Sequence, residues 1–147
     1  MQWIWHNYHD LGEENHLRIS LLRKSFFEAD AHRELVKDEH DEACLHLMGT
    51  SDSNLVAYGR IIPPHTDLGN PFISRTIVAA EYRNKGHGRA LIKILVEKSK
   101  ELFPEKITQV SSLSSTKMFY EKNNFVEEKK IIDTSGIEHF IMSINDK

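Results

Sequence analysis

A chain of 147 residues, 39% hydrophobic and 28% charged, has the size at which one compact domain buries a continuous apolar core, and residues 1–147 read as a single domain. Its net charge of -3, with Lys and Arg spread among Asp and Glu, excludes the broad basic footprint of a nucleic-acid binder, so an anionic ligand would have to be held by local groups. Cys44 is the only cysteine, which excludes an intrachain disulfide, and no apolar run is long enough to cross a bilayer, so the expectation is a soluble, cytoplasmic protein.

No internal repeat, low-complexity tract or Ser/Gly/Pro-rich linker divides the chain. Trp3 to Tyr8 predicts a first strand, with Trp3 and Trp5 on one face for core packing or a dimer contact. Leu11-Gly12-Glu13-Glu14 opens a helix whose early acids suit the positive end of its dipole. Leu17, Leu21, Leu22 and Ser25-Phe26 recur at helical spacing and predict its buried face. From Phe27 to Glu42 the chain is dense in charge, with Leu35 and Val36 as apolar anchors, and reads as a short helix and a mobile loop.

Leu45 to Met48 and Leu55 to Ile62 flank the turn cluster Thr50 to Asn54 and predict an antiparallel hairpin, ended by Pro63-Pro64 because proline cannot donate to a continuing ladder. Phe72 to Val78 is a third strand of this central set. Gly88 to Phe103 is the strongest helix: Leu91, Ile92, Leu95, Val96, Leu102 and Phe103 share one face, and Lys93 and Glu97 stand at i,i+4 on the other. Ile107 to Val110 predicts a short strand and Ser115 to Lys122 a short helix. Phe125 to Ile132 and Ile137 to Ile144 form a closing hairpin around Asp133-Thr134-Ser135-Gly136. The class is therefore α/β with a mixed sheet.

Arg83-Asn84-Lys85-Gly86-His87-Gly88-Arg89 sits between a β-branched strand and the long helix. A pyrophosphate needs converging backbone N–H donors, and a helix N-terminus supplies unpaired amides with a favourable dipole. Gly86 and Gly88 remove side chains that would block close approach, while Arg83, Lys85 and Arg89 add local positive charge. A P-loop would continue Gly-Lys-Ser/Thr and a dinucleotide fingerprint would need a third glycine; both are excluded. A tight strand-to-helix turn with no ligand accounts for two glycines equally well.

The stretch Thr76-Ile77-Val78-Ala79-Ala80-Glu81-Tyr82-Arg83-Asn84-Lys85-Gly86-His87-Gly88-Arg89-Ala90-Leu91 resembles the acetyl-CoA signature of the GNAT superfamily, Arg/Gln-x-x-Gly-x-Gly/Ala after a strand and before a helix. Met118-Phe119-Tyr120-Glu121-Lys122-Asn123-Asn124-Phe125 is similar to that family's later Phe-Tyr-x-x-x-Gly-Phe segment, in the family's order and spacing. Leu55 to Ile61 and Leu22 to Phe27 resemble its ElaA-like branch, from which Glu28-Ala29-Asp30-Ala31-His32 departs.

The resemblance implies a GNAT acyl-CoA N-acyltransferase fold: a mostly antiparallel sheet, helices on both faces, and the fourth and fifth strands splayed apart. It implies acetyl-CoA as cosubstrate and no metal. Backbone groups of Ile77 and Val78 would pair with the pantetheine, and amides from Arg83 through Asn84, Lys85, Gly86, His87 and Gly88 to Arg89 would hold the pyrophosphate. Tyr120 matches the tyrosine that protonates the leaving thiolate. The activity implied is direct acetyl transfer, in a ternary complex, to a primary amine on a small molecule or peptide, with a homodimer as a family habit. Asn124 replaces the usual glycine but tolerates the left-handed conformation. Leu113 replaces an Asn that often touches the cofactor, and Phe72 to Val78 lacks the carboxylate some members use as a base.

The rival readings are a non-catalytic acyl-CoA-binding regulatory module and an interaction domain without ligand. As the base, His46, His139, Glu28 and Asp30 qualify by type alone, each competing with a structural role. Arg60 and Arg75, charged within strands, must face solvent or be paired, ahead of a role on a substrate carboxylate. Asp38-Glu39-His40-Asp41-Glu42 reads as a solvated charge run rather than a metal site, and would suit a cationic amine. Phe27 to His46 and the hairpin from Ile132 to Ile141 are expected to shape the acceptor pocket.

Overall fold

A computed structural model describes residues 1–27, 38–64 and 69–145. Strands β1 (Gln2–Asn7), β2 (Leu45–Ser51), β3 (Asn54–Ile62), β4 (Phe72–Val78), β5 (Gln109–Ser112), β6 (Phe125–Ile132) and β7 (Glu138–Ile144) form one sheet in the order β1-β2-β3-β4-β5-β7-β6. Helices α1 (Gly12–Phe27), α2 (His87–Leu102) and α3 (Ser114–Lys122) complete the fold. Every pairing is antiparallel except β4 with β5, as a strand-helix-strand crossover requires. Among the described residues no helix is long and apolar enough to cross a membrane.

Two apolar layers lie on opposite faces of the sheet. Leu47, Ile61 and Ile73 meet Leu91, Ile92, Leu95 and Val96 of α2, with Trp3 and Trp5 packed against this cluster. Met48, Tyr58 and Ile77 meet Leu11 and Ile19 on the other face. The Trp3 ring lies so close to Gly49 that a Cβ there would meet it at 2.6 Å, which explains a glycine inside a strand.

One irregularity decides where the chemistry falls. Tyr58 pairs with Ile77 and Arg60 with Ser74, so three steps on β4 oppose two on β3. This is a β-bulge, and Arg75 sits in it at φ 53°. The extra residue turns the strand over: Ile73 joins one core layer and Ile77 the other, although four residues apart they would otherwise share a face.

Several sequence expectations are corrected. Leu17 and Leu21 are 59% and 58% exposed; of the predicted face Leu22 does pack on the core, joined by Ile19 and the buried Arg23, with Leu11 just ahead of the helix. The arginine in that stripe hides it from a search for apolar periodicity. Leu102 is 46% exposed because α2 ends there, with the Phe103 amide closing back on Ser99. The fifth strand starts two residues later than predicted: Ile107 is exposed with its amide on Asn70 Oδ1, and the ladder begins at Gln109. Of the charge-dense stretch, residues 28–37 lie outside those described, so the short helix and loop expected there, with Leu35, Val36, Glu28 and Asp30, have no structural outcome.

Candidate active site

β4 and β5 pair only at Phe72 with Gln109 and Ile73 with Val110, after which the two parallel strands part. Beyond Ile73, β4 therefore presents main-chain groups to an opening rather than to a neighbour. The Ala79 amide bonds the Val56 carbonyl at 2.7 Å on the β3 side, so alternation directs the Val78 amide and carbonyl to the opening. The Val78 carbonyl accepts from Arg83 Nε at 2.9 Å. Ile77 lines the opening with its neighbours while its side chain is buried in the α1 layer.

The opening continues as a cleft of about 480 Å³ to the start of α2, lined by Val78, Tyr82, Arg83, Gly86, Gly88 and Arg89 among others. Gly86 is the N-cap at φ 86°, a left-handed conformation, and caps with no side chain. Nothing lies within 4 Å of where its Cβ would be, and the first amides of α2 have no carbonyl a turn earlier in the helix to accept them. Asn84 is also left-handed, at φ 62°. Arg83, Asn84, Lys85 and Arg89 are exposed, and Lys85 Nζ lies 5.9 Å from the Tyr82 ring centre. Gly88 has a different reason: a Cβ there would meet the Phe119 ring at 3.3 Å, so its absence lets α2 close on α3. Phe119 is 36% exposed on the wall of this cleft.

Tyr120 stands where this cleft meets a larger one of about 1420 Å³ on the far side of the opening. It is 7% exposed, and its hydroxyl is 2.8 Å from Thr76 Oγ1. Burial pushes the phenol up, and the Thr76 hydrogen bond offsets this only in part, so the group stays protonated. Thr76 was not singled out in the sequence; only the bulge, invisible there, turns it to this face.

The floor of the larger cleft is a buried ionic network. Arg60, 1% exposed, donates to Asp38 at 2.6 and 2.7 Å and to Asp41 at 2.7 Å. Arg23 Nη1 holds both oxygens of Asp41 at 2.9 and 3.0 Å, and Arg75 reaches Asp38 at 3.1 Å. Burial by itself would raise the Asp38 carboxyl, but the Arg60 hydrogen bond and charge, the His40 amide and Arg75 hold it well below the usual range. Asp41, also burdened by burial, is held low by the Asp38 amide and by Arg23 and Arg60. Arg60 and Arg75 are thus ion-paired, as one sequence reading had it. The acidic run is not simply solvated, however: Asp41 is 2% exposed because it neutralises arginines that the sheet and α1 bury. Among the described residues no group of His, Cys, Asp and Glu is arranged to hold a metal.

The base candidates separate. His46 is 2% exposed, with Nδ1 on the Tyr58 hydroxyl at 2.6 Å and Nε2 on the Asp41 carbonyl at 2.9 Å. Burial lowers its pKa, and both nitrogens are engaged, so it is structural. Cys44 is buried and its thiol pushed up to about 12, an inert position. His139 lines the larger cleft with Asp38, Glu39 and His40, so both segments expected to shape an acceptor pocket reach it. Asn124, at φ 70°, ends α3 in the left-handed conformation, and Leu113 begins it without a side-chain cap while lining the larger cleft.

The family described as "Acetyltransferase (GNAT) domain" matches residues 9–145. A UPF0039 protein of Synechocystis is 30% identical over 144 residues, covering 97% of this chain and 94% of that protein. Protein ElaA of Escherichia coli is 28% identical over 98 residues, 67% of this chain and 64% of ElaA. Its crystal structure superposes with a TM-score of 0.84 over 98% of this chain and 99% of that one, at 22% identity. An acyl-CoA N-acyltransferase from Pseudomonas aeruginosa gives a TM-score of 0.85 with the same coverage and identity, a likeness of fold.

Proposed function

The chain belongs to the GNAT acetyltransferase family, and from that premise we propose that it transfers acetyl from acetyl-CoA directly to a primary amine of a small molecule or peptide. The observation that carries this is the position of Tyr120, a buried, protonated phenol at the junction of two clefts. One cleft ends on bare helix amides and cations suited to a pyrophosphate; the other is open enough for an acceptor.

In this reading the amides of His87, Gly88 and Arg89, with those of the turn from Arg83 through Asn84, Lys85 and Gly86, hold the pyrophosphate, helped by the helix dipole. The pantetheine lies in the splay and pairs with β4 through the main chain of Val78, taking the place of a strand partner, while Ile77, whose main chain turns to β3, only lines its path. The Val78 amide is the stronger half of that pairing, since its carbonyl already accepts from Arg83. The thioester then reaches Thr76 and Tyr120. As the amine lone pair attacks the thioester carbon and the C–S bond breaks, the Tyr120 hydroxyl protonates the departing sulfur. Thr76 orients that hydroxyl.

The test measures thiol release from acetyl-CoA against a panel of primary amines: a polyamine, an aminoglycoside and a peptide with a free N-terminus. The expected result is amine-dependent release that falls by roughly 10²-fold in Tyr120→Phe while acetyl-CoA affinity holds. Binding of acetyl-CoA with no release from any amine, and no change in Tyr120→Phe, would instead support a non-catalytic acyl-CoA-binding module.

A further inference from the structure

Resting on the transferase reading, we propose that His139 is the general base that deprotonates the acceptor amine, held in its working tautomer by Asp133.

The sheet brings His139 and Tyr120 to one cleft. β5 stands between β4 and β7, pairing with β4 at Phe72 and Ile73 and with β7 from Gln109 to Ser112. Ser112 faces Phe140 in the last of those antiparallel pairs, and His139 follows one residue beyond it, past the point where β4 and β5 part. Ser111, Ile141 and His139 fall on the sheet face opposite Val110 and Met142, which belong to the α2 layer. His139, Thr76 and Tyr120 accordingly line the same cleft, the first from the β7 arm and the other two from the β4 side. An acid and a base flank the opening into which the thioester would project.

The ring is oriented as a base requires. His139 Nε2 lies 2.8 Å from Asp133 Oδ2, and a neutral ring donates to a carboxylate, which leaves the lone pair on Nδ1. Asp133 is fixed from its other oxygen, which accepts the amides of Ser135 at 2.8 Å and Ile137 at 3.0 Å in the hairpin turn. The hydrogen bond from His139, with those two amides, holds the Asp133 carboxyl low, so it stays an acceptor at neutral pH. Three turn residues thus lock one imidazole, a base with an orienting carboxylate behind it. His46 cannot serve, since both of its nitrogens are engaged, and Asp38 is held ionised by arginines and is too weak a base.

His139 Nδ1 takes one proton from the acceptor ammonium, directly or through a water, and passes it to solvent. The freed lone pair forms the C–N bond, the C–S bond breaks with its electron pair on sulfur, and Tyr120 supplies the thiol proton. The second proton leaving the new amide nitrogen restores the phenol. The charged groups around His139 are Asp133 in the turn and Glu138 beside it, paired to Lys130, and the cleft it lines also carries Arg18, Asp38, Glu39, His40, Arg60, Arg75, Glu81 and Arg83. None besides Asp133 is recorded at hydrogen-bond distance from the ring.

The experiment compares wild type, His139→Gln and Asp133→Asn with the same amine panel, following kcat and KM across pH, with circular dichroism and acetyl-CoA calorimetry on each. His139→Gln keeps a donor towards Asp133 and guards against a folding defect. The expected result is a kcat loss of roughly 10²-fold in His139→Gln with acetyl-CoA affinity unchanged, and an acid limb moved up to the ionisation of the amine itself, so that activity partly recovers at high pH, where the amine is already neutral. Asp133→Asn should lower kcat by less than His139→Gln and retain the acid limb. Amine-dependent turnover that survives His139→Gln with its pH profile intact overturns this inference and leaves the transferase reading standing. Absence of turnover in the wild type overturns both.

Discussion

The two clefts that meet at Tyr120 are built by opposite means. The side proposed to take the acetyl donor is made of main chain: a bulged strand, a left-handed glycine and the first turn of α2, with exposed Arg83, Lys85 and Arg89 around them. The acceptor side is made of side chains, with Arg23, Asp41 and Arg60 nearly sealed from water beneath it. A ligand common to a whole family can be read by backbone geometry, which any sequence with the right glycines reproduces. A floor of buried ion pairs depends on residues brought together from α1, the turn before β2, and strands β3 and β4. Stability should therefore be more sensitive on the acceptor side than on the donor side.

The largest effect is expected from Asp41→Ala, which leaves Arg23 buried with its charge uncompensated and Arg60 with Asp38 alone. Denaturant unfolding should show a loss on the order of 3–5 kcal/mol. A loss below about 1 kcal/mol would mean that water or other groups already solvate these arginines. Tyr120→Phe comes next, with kcat lowered by roughly 10²-fold and stability little changed, since the ring and its packing on Phe125 remain.

Acid should also distinguish the two sides. Asp38 and Asp41 have folded-state pKa values below their unfolded ones. Their contribution is fully present above the unfolded value of about 3.9 and is lost as pH falls through the lower folded values. Denaturant midpoints measured below pH 4 should thus fall for the wild type and be flatter in an Asp38→Asn, Asp41→Asn variant. Equal slopes would remove the network from the acid response. Smaller still, Gly86→Ala should cost about 1–2 kcal/mol through its positive φ alone, because nothing crowds a Cβ there. Lys85→Ala, on the exposed turn, should change stability by no more than about 0.5 kcal/mol.

The same contrast governs what the sequence revealed. The α2 start was legible because its residues are contiguous and its glycines, cations and following apolar stripe all lie within one stretch. The paired clefts were half legible: Tyr120 stood out by its motif, while Thr76 and Phe119 gave no signal, one turned inward by a bulge and the other held at the cleft wall by a glycine on another helix. The ion-pair floor was least legible. Arg23 looked like a helix surface residue and displaced attention to Leu17 and Leu21, and the acidic run looked solvated because nothing local announces that arginines from β3 and β4 will meet it. Long-range pairs of charge leave no periodicity behind them.

The central claim is that the turn and first amides of α2 hold the pyrophosphate of acetyl-CoA. Calorimetric titration of acetyl-CoA into the wild type and into a Lys85→Glu, Arg89→Glu variant with native circular dichroism tests it most directly. Saturable binding to the wild type is expected, weakened at least about tenfold in the variant by the loss of charge-assisted contacts. Equal affinity in the two proteins, or no binding to the wild type at high ligand excess, would contradict it and return Gly86 and Gly88 to an ordinary strand-to-helix turn.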